Sequence, residues 1–331
     1  DCAAEAMLAP VRLERGPNLV PSPDSSLDSS RIKLTHDLEQ LRHLQDEGIL
    51  GGSFSEVVAA YADALSRLPA GSDNRIAGIS ARDFPLVVAN ATRLNHLEPT
   101  PALPGGAINP ALDSAAVAAA FHSRPLGATY VDDLLKPEAL AALRRFCNRS
   151  TVWWQHDHTG ELGSLMHRGF ACPLLAQIAH DLRLAFPELL GSHPFTSLWA
   201  YKYFATPEET LTHGRSSGLD VHADDGAVTV NFWIAPDEGN LDPASGGVCL
   251  WDREAPPAYF ETRSRAERLA IVDALMEDDA PPDLVVPHRA NRAAIFHSNS
   301  LHRSDRFSFK DAYPNRKISI TVMFGRRGQA S

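Results

Sequence analysis

Two histidines and one aspartate are the residues of this chain whose types and order best suit metal chemistry. His222 and Asp224 form an H-x-D step, and His302 follows much later in the sequence. On an extended strand, residues i and i+2 point to the same face, so the side chains of His222 and Asp224 can reach one ion. Two imidazoles and one carboxylate form a facial triad, which holds Fe(II) on one side and leaves its other coordination positions open. Zinc more often takes a closed set of four ligands. The pattern therefore predicts a ferrous site at His222, Asp224 and His302.

Other histidines of the chain have more ordinary explanations. His297 lies inside a strand-like run, so we interpret it as a packed strand residue and not as the second histidine ligand. His156 and His158 have the spacing of neighbours on one strand face, but no third ligand lies in a suitable context. We expect a loop with buried aromatic residues there, with Trp154 as a candidate substrate contact.

A cation at the start of the last strand pattern is predicted to bind an anion. Arg316 has the same strand parity as Ile318 and Ile320, an apolar face on which an unpaired arginine would be unfavourable. A dicarboxylate cosubstrate would supply the anion, and the guanidinium group suits it bidentately. Lys317 lies on the opposite face, and a register shifted by one residue would make Lys317 the carboxylate anchor instead.

The elements that must position these residues are mostly short strands. We predict strands over 126–133, 197–204, 227–234, 247–251, 284–286, 293–297 and 316–324, and helices over 137–147, 174–186 and 265–276. Such strands without βαβ alternation indicate an antiparallel sandwich or jelly roll. Apolar stripes over 34–44 and 54–68, separated by glycines, predict a helical hairpin. A Pro- and Gly-rich segment over 98–110 is the candidate boundary between an N-terminal arm and helical region, 1–107, and a β domain, 108–331.

Several motifs of the β region together resemble one enzyme superfamily. They are Trp199-Ala-Tyr-Lys-Tyr, Val221-His-Ala-Asp, Val230-Asn-Phe-Trp-Ile-Ala-Pro-Asp-Glu, Asn240-Leu-Asp-Pro, Ser245-Gly-Gly, Ile295-Phe-His-Ser-Asn-Ser-Leu-His and Asn315-Arg-Lys-Ile-Ser-Ile-Thr. They are similar to the Fe(II)/2-oxoglutarate-dependent dioxygenase superfamily, and most similar to bacterial members with a helical, tetratricopeptide-like N-terminal region. The resemblance covers about residues 108–327.

The resemblance implies an all-β catalytic core, a double-stranded β-helix (cupin-like jelly roll), with N-terminal and flanking α-helices. It implies Fe(II) held by His222, Asp224 and His302, with the C5 carboxylate of the cosubstrate 2-oxoglutarate on Arg316. O₂ would be consumed to hydroxylate an unactivated C–H bond, with succinate and CO₂ as coproducts. The aspartate at 224 favours hydroxylation or desaturation over halogenation. Asn231 and Tyr203 are candidates to hydrogen-bond the cosubstrate from neighbouring strands.

The substrate prediction depends on residues around the H-x-D step. Arg215 and Asp225 could clamp a zwitterion, so we predict an amino-acid-like small metabolite, free or carrier-bound. One helical hairpin is too small for a typical peptide-docking array, which makes hydroxylation of a protein or peptide side chain the alternative. A non-oxygenase cupin metalloenzyme is a further alternative. The hairpin could also pad the barrel or mediate a homodimer.

Composition excludes several other classes. The formal net charge of −10 argues against nucleic acid or an anionic membrane surface as the main partner. No apolar run approaches the roughly 18 residues of a membrane span. The four cysteines are far apart without a C-x-x-C step, which predicts a reducing, cytoplasmic location. The sequence opens at Asp1, and we find no signal-peptide pattern in it.

Overall fold

The computed structural model describes residues 21–68, 76–156, 160–204, 221–276 and 280–328. Its strands, in chain order, are β1 Ser26–Ser29, β2 Ala77–Ser80, β3 Ala128–Val131, β4 Gln155–His156, β5 Glu161–Leu165, β6 Phe195–Tyr203, β7 Val228–Trp233, β8 Val248–Glu254, β9 Leu284–Val286, β10 Ala293–His297, β11 Ser300–Ser304 and β12 Ile318–Phe324. Its α-helices are α1 Arg31–Asp46, α2 Ser55–Arg67, α3 Pro85–Asn90, α4 Ser114–His122, α5 Pro137–Arg149, α6 Pro173–Ala185, α7 Pro187–Leu190, α8 Pro257–Glu261 and α9 Arg265–Leu275.

Two antiparallel sheets form the β region. The large sheet has the strand order β3-β10-β7-β12-β6-β5-β4, and the small sheet has the order β11-β8-β9. An antiparallel bridge between His222 and His302 extends the small sheet beyond β11. The inner faces of the two sheets pack on each other through apolar residues such as Trp233, Val248 and Phe296. This double-stranded β-helix, flanked by helices, confirms the predicted fold class.

Helices cover the outer faces of both sheets, where they pack on the apolar residues that the strands direct outward. On β12, Ile318, Ile320 and Val322 point outward and pack in one cluster with residues of α4, α5, α6 and α7. Leu301 of β11 belongs to a separate outer cluster with residues of α8 and α9. The residues of β12 between them, Ser319 and Thr321, therefore face the space between the two sheets.

The N-terminal helices form a unit with its own apolar core. The Ser30 hydroxyl caps α1 by accepting a hydrogen bond from the backbone N–H of Lys33 at 3.2 Å. The leucines of α1 pack against α2 and α3 in one cluster, and β1 pairs with β2 beside them. These elements form the predicted hairpin with one short further helix, while a tetratricopeptide-like character of the region stays a prediction.

Two elements near the site differ from the sequence prediction. His302 lies in β11, Ser300–Ser304, a strand that is absent from the predicted set. The last strand begins at Ile318, two residues later than expected. In the described part of the chain, no helix is both long and apolar enough to cross a membrane.

Candidate metal centre and its cleft

His222, Asp224 and His302 meet at one point between the two sheets. One donor atom from each residue lies within 4.8 Å of the donor atoms of the other two. His302 Nε2 is 3.6 Å from Asp224 Oδ2, and the two imidazole centroids are 4.3 Å apart. The structure therefore brings together the three residues that the sequence nominated as metal ligands.

Backbone hydrogen bonds produce this convergence. The N–H of His222 donates to the carbonyl of His302 at 2.9 Å, and the N–H of His302 donates to the carbonyl of His222 at 2.8 Å. The N–H of Asp224 donates to the carbonyl of Ser298 at 2.8 Å. Two residues distant in sequence thus become direct cross-strand neighbours, and Asp224 is fixed on the same side.

The groups behind the ligands prepare them for a cation. His302 Nδ1 lies 2.8 Å from the Ser300 carbonyl, which can only accept, so Nδ1 carries a proton and Nε2 is the nitrogen directed to a metal. Burial acts to raise the pKa of Asp224, but the imidazoles of His302 and His222 and the Thr229 hydroxyl hold that pKa below its ordinary value. The carboxyl group is therefore ionised. Two imidazoles and a carboxylate with this geometry fit a divalent transition-metal ion.

A cleft of about 420 Å³ opens over the three ligands. Its walls combine aromatic and hydroxyl-bearing side chains from both sheets: Trp199, Tyr201, Tyr203, Thr229, Asn231, Trp233, Val248, Ser304, Ser319 and Thr321, with Gly247 in the backbone. The three predicted metal ligands thus share one cleft with aromatic and hydroxyl-bearing side chains of both sheets.

Lys317 is a buried cation with strand parity toward this cleft, the same parity as the cleft residues Ser319 and Thr321. Its ammonium lies 4.4 Å from the ring centre of Tyr203 and 4.9 Å from that of Phe307. No described residue accepts a hydrogen bond from its Nζ. Burial lowers the pKa of Lys317 to about 8, against the opposing charges of Asp305, Glu161 and Cys249. An orphaned buried ammonium of this kind fits an anionic ligand.

Arg316, the predicted carboxylate anchor, lies on the other face of the sheet. Its guanidinium donates to both carboxylate oxygens of Glu39, at 2.9 and 2.8 Å, and pairs with Asp311 at 2.7 Å. It also stacks over the ring of Phe204 at 4.0 Å. The apolar parity that suggested a small-molecule anion is satisfied by these protein carboxylates instead. Lys317, the alternative anchor that the sequence offered, has the strand parity of the cleft, whereas Arg316 pairs with protein carboxylates on the outer face.

Asn231 and Tyr203 both line the cleft, as expected for residues that contact a cosubstrate. The Asn231 amide donates to the Thr321 hydroxyl at 3.0 Å, and its Oδ1 has no partner among the described residues. The Tyr203 hydroxyl is 3.1 Å from that of Ser304 and accepts from Ser319 at 3.4 Å. Burial raises the pKa of Tyr203, so this phenol stays protonated.

Of the three candidate substrate residues, the two that the structure describes, Trp154 and Asp225, do not line this cleft. Trp154 lines a different cavity, against the N-terminal helices, and its indole N–H donates to the Thr151 carbonyl at 2.6 Å. Asp225 follows a metal ligand in sequence, but its side chain is 68% exposed and pairs with Arg327 at 3.3 Å. Arg215 lies outside the described residues. A zwitterion clamp made of Arg215 and Asp225 thus has no support from the described residues.

Sequence reasoning missed two contributors to the site. Thr229, which is fully buried, hydrogen-bonds the Asp224 carboxylate, and its only sequence signal is a polar residue in an apolar strand. Gly247 lets β8 approach β9, since a Cβ there would lie 1.8 Å from the Val286 carbonyl oxygen. His297 packs edge-on against Phe121 at 5.0 Å between ring centres, consistent with its interpretation as a strand residue.

Comparisons with known proteins give distant fold neighbours only. No protein-family model matches the chain, and no curated protein matches it. Similar solved structures include the non-haem α-ketoglutarate-dependent carbocyclase SnoK from nogalamycin biosynthesis, 13% identical, with a TM-score of 0.42 over 67% of this chain and 87% of that chain. HygX from Streptomyces hygroscopicus, solved with nickel and 2-oxoglutarate, is 12% identical, with a TM-score of 0.40 over 62% and 84% of the two chains. A prolyl-4-hydroxylase from Pseudomonas putida is 17% identical, with a TM-score of 0.38 over 64% and 99%. At these values the likeness carries no argument about activity, which has to come from the site.

Proposed function

We propose that this protein is an Fe(II)- and 2-oxoglutarate-dependent dioxygenase. Two features of one double-stranded β-helix carry the proposal together. One is the His-Asp-His triad with its ionised Asp224 carboxylate, and the other is the buried ammonium of Lys317, which has no hydrogen-bond partner among the described residues. A metal-chelating dicarboxylate needs both features: metal positions left open by a three-ligand triad and a distant cation for its second carboxylate. The sequence resemblance to this superfamily supports the same conclusion.

Each residue of the site has a distinct role in the proposed function. His222, Asp224 and His302 would hold the metal, and Lys317 would bind the C5 carboxylate of 2-oxoglutarate. The hydroxyls of Tyr203 and Ser319 line the cleft, the Tyr203 ring lies 4.4 Å from the Lys317 ammonium, and both hydroxyls can donate to the same carboxylate. Asn231 offers its amide toward the cosubstrate from the neighbouring strand. Bound Fe(II), 2-oxoglutarate and O₂ would together supply the oxidation of a C–H bond, with succinate and CO₂ as coproducts.

The chain's own residues also protect this chemistry. Trp199 and Tyr201 form an aromatic wall of the cleft, and buried Trp233 closes its inner side. Such walls exclude bulk water, which strengthens the attraction between the Lys317 ammonium and a carboxylate. The Ser300 carbonyl keeps the proton of His302 on Nδ1, so that Nε2 stays available to the metal.

We propose an amino-acid-like small metabolite as the substrate, with a protein or peptide side chain as the competing candidate. The polar walls of Asn231, Thr229 and Thr321 support a small polar molecule. The test is 2-oxoglutarate-dependent succinate formation with a library of amino acids and their derivatives against a library of peptides. Succinate formed only with peptides would reverse the order of the two candidates.

Anaerobic spectroscopy tests the reaction class. Fe(II) and 2-oxoglutarate added to the protein without O₂ should give the weak visible charge-transfer band of a metal chelate. Asp224→Ala should abolish this band because it removes the anionic metal ligand. Asp225→Asn is the matched control, since the neighbouring carboxylate is exposed and pairs with Arg327, and it should keep the band. A wild-type protein that binds Fe(II) but gives no band would favour a non-oxygenase cupin metalloenzyme.

A further inference from the structure

Arg316 and Lys317, two consecutive cationic residues just before β12, have side chains directed to opposite faces of the large sheet. Lys317 has the parity of the cleft residues, whereas Arg316 is directed to the outer side, where α1 lies. The two residues share one peptide bond, so whatever fixes the Arg316 side chain also limits where the Lys317 backbone can move.

Helix α1 contacts Arg316 on the outer side of the large sheet. The carboxylate of Glu39, in the middle of α1, takes both of its hydrogen bonds from the Arg316 guanidinium, whose side chain is only 2% exposed. Just upstream of Arg316, Tyr313 packs against two α1 imidazoles, with ring centres 5.6 Å from His36 and 5.3 Å from His43. One guanidinium nitrogen, Nη2, donates to both Glu39 oxygens, while Nη1 pairs with Asp311 at 2.7 Å, so the Arg316 side chain is held from two sides.

The neighbouring strand repeats the pattern. On β6, Lys202 is directed outward and fully buried, and its Nζ lies 3.2 Å from His36 Nε2 of α1. The next residue, Tyr203, is directed to the cleft, and its ring lies under the Lys317 ammonium. Tyr203 and Lys317 are also joined directly, because the N–H of Tyr203 donates to the Lys317 carbonyl at 3.0 Å. One face of α1 therefore contacts Lys202 and Arg316, and each of these directly precedes a residue of the predicted anion site, Tyr203 or Lys317.

We propose that α1 is a positioning element of the cosubstrate site, in which Glu39, acting through Arg316, holds Lys317 in the orientation that binds the C5 carboxylate. The proposal rests on the proposed function, since Lys317 must bind 2-oxoglutarate. It assigns to the N-terminal helical unit a part in cosubstrate binding, although that unit contributes no residue to the cleft wall. Glu39 and Arg316 are positioning residues and touch neither metal nor cosubstrate.

The chain offers a matched control for this proposal. Glu47, at the C-terminal end of the same helix, also pairs with an arginine of the region that follows: Arg149 Nε donates to Glu47 Oε2 at 2.8 Å and Nη2 to Oε1 at 3.2 Å. Arg149 belongs to α5 and is not adjacent to any residue of the cleft wall. Loss of Glu47 therefore weakens the docking of α1 without releasing Lys317.

The test is calorimetric titration of 2-oxoglutarate into the full chain loaded with Mn(II), together with titration of Mn(II) alone. Glu39→Ala should weaken 2-oxoglutarate binding about tenfold, a loss typical of positioning groups behind a ligand site, and leave Mn(II) affinity unchanged. Glu47→Ala should keep both affinities within about twofold of the wild type. Glu39→Gln retains one acceptor oxygen, so it should give an intermediate loss, and it carries the test if Glu39→Ala does not fold.

Three results would overturn the proposal, and only the third would also refute the proposed function. Wild-type 2-oxoglutarate affinity in both Glu39 variants would refute the positioning role and leave the proposed function intact. Equal losses in Glu39→Ala and Glu47→Ala would reduce the role of α1 to general stabilisation. A wild-type protein that binds Mn(II) but no 2-oxoglutarate would refute the proposed function and this inference together.

Discussion

At the scale of single residues, the ammonium of Lys317 has hydrogen-bonding capacity that the described protein does not use. A buried ammonium without an acceptor is unfavourable unless a ligand supplies one. Aromatic rings of Tyr203 and Phe307 hold the Lys317 Nζ but leave its three protons free for carboxylate oxygens. This is why we assign the C5 carboxylate to Lys317 and not to Arg316, whose Nη2 and Nη1 atoms already contact Glu39 and Asp311.

Replacement of this ammonium should separate cosubstrate binding from folding. Lys317→Met should weaken 2-oxoglutarate binding by roughly 10- to 100-fold, because a charge-assisted hydrogen bond contributes about 1.5–3 kcal/mol. The variant should unfold at the same or a higher denaturant concentration, since it no longer buries a charge. Calorimetry and urea unfolding measure the two effects. Lys310→Met, at an exposed position of the preceding segment, is the control, and an equal loss of binding there would refute the assignment.

The pH dependence of binding offers a second residue-scale test. Because burial lowers the pKa of Lys317 to about 8, the free protein loses this ammonium as the pH rises through 8. A carboxylate binds only the protonated form, so 2-oxoglutarate affinity should be constant below about pH 7.5. It should then fall toward tenfold per pH unit above 8.5. Calorimetry across pH 7–9.5 measures this slope. The slope should be absent in Lys317→Met, and a flat wild-type profile would contradict the role of Lys317.

At the scale of elements, strand alternation was predictable, while the choice between two adjacent cations was not. Alternation in 316–324 predicted a strand with one apolar and one polar face. Deciding which cation faces the cleft required Glu39, an acidic residue on a helix far away in sequence. The same limit explains β5, whose Glu161–Leu165 segment has little strand signal and forms because it pairs with β6. Local pattern predicted strands, and long-range pairing decided their partners.

Gly247, directly before β8, allows a close approach between β8 and β9. A Cβ on Gly247 would lie 1.8 Å from the Val286 carbonyl oxygen, a backbone atom that cannot move without separating β8 from β9. Gly247→Ala should therefore lower the free energy of unfolding by about 2 kcal/mol or more, as overpacking does. Gly78→Ala in β2 is the control, because nothing lies within 4 Å of a Cβ there. Urea unfolding measures both, and equal stabilities would contradict the close approach.

At the scale of the whole molecule, the helical unit and the β region share a polar, buried interface. Lys202 lies at its centre, where its Nζ is within 3.4 Å of His36 Nε2, the Cys147 carbonyl and the Tyr313 hydroxyl. Sequence alone predicted both units, each from its own periodicity. It gave no sign of this contact, because a lysine in a strand pattern normally indicates a solvent-exposed position.

The stability of the molecule should report on this interface through pH. Burial lowers the pKa of Lys202 from 10.5 to about 7, so between these values the unfolded chain binds more protons than the folded chain. Stability therefore rises with pH over this window, and the penalty is complete below about pH 7. From pH 7 to pH 9, the wild type should gain about 2 kcal/mol in free energy of unfolding relative to Lys202→Met. Denaturant unfolding at both pH values measures the difference, and parallel pH profiles would show that Lys202 stays protonated.

A crystal structure of the protein with Mn(II) and 2-oxoglutarate tests the central claim most directly. The account predicts one ion bonded to His222, Asp224 and His302, chelated by the cosubstrate, with the far carboxylate hydrogen-bonded to the Lys317 ammonium. An ion bound elsewhere, or a far carboxylate that contacts any cation other than Lys317, would contradict it.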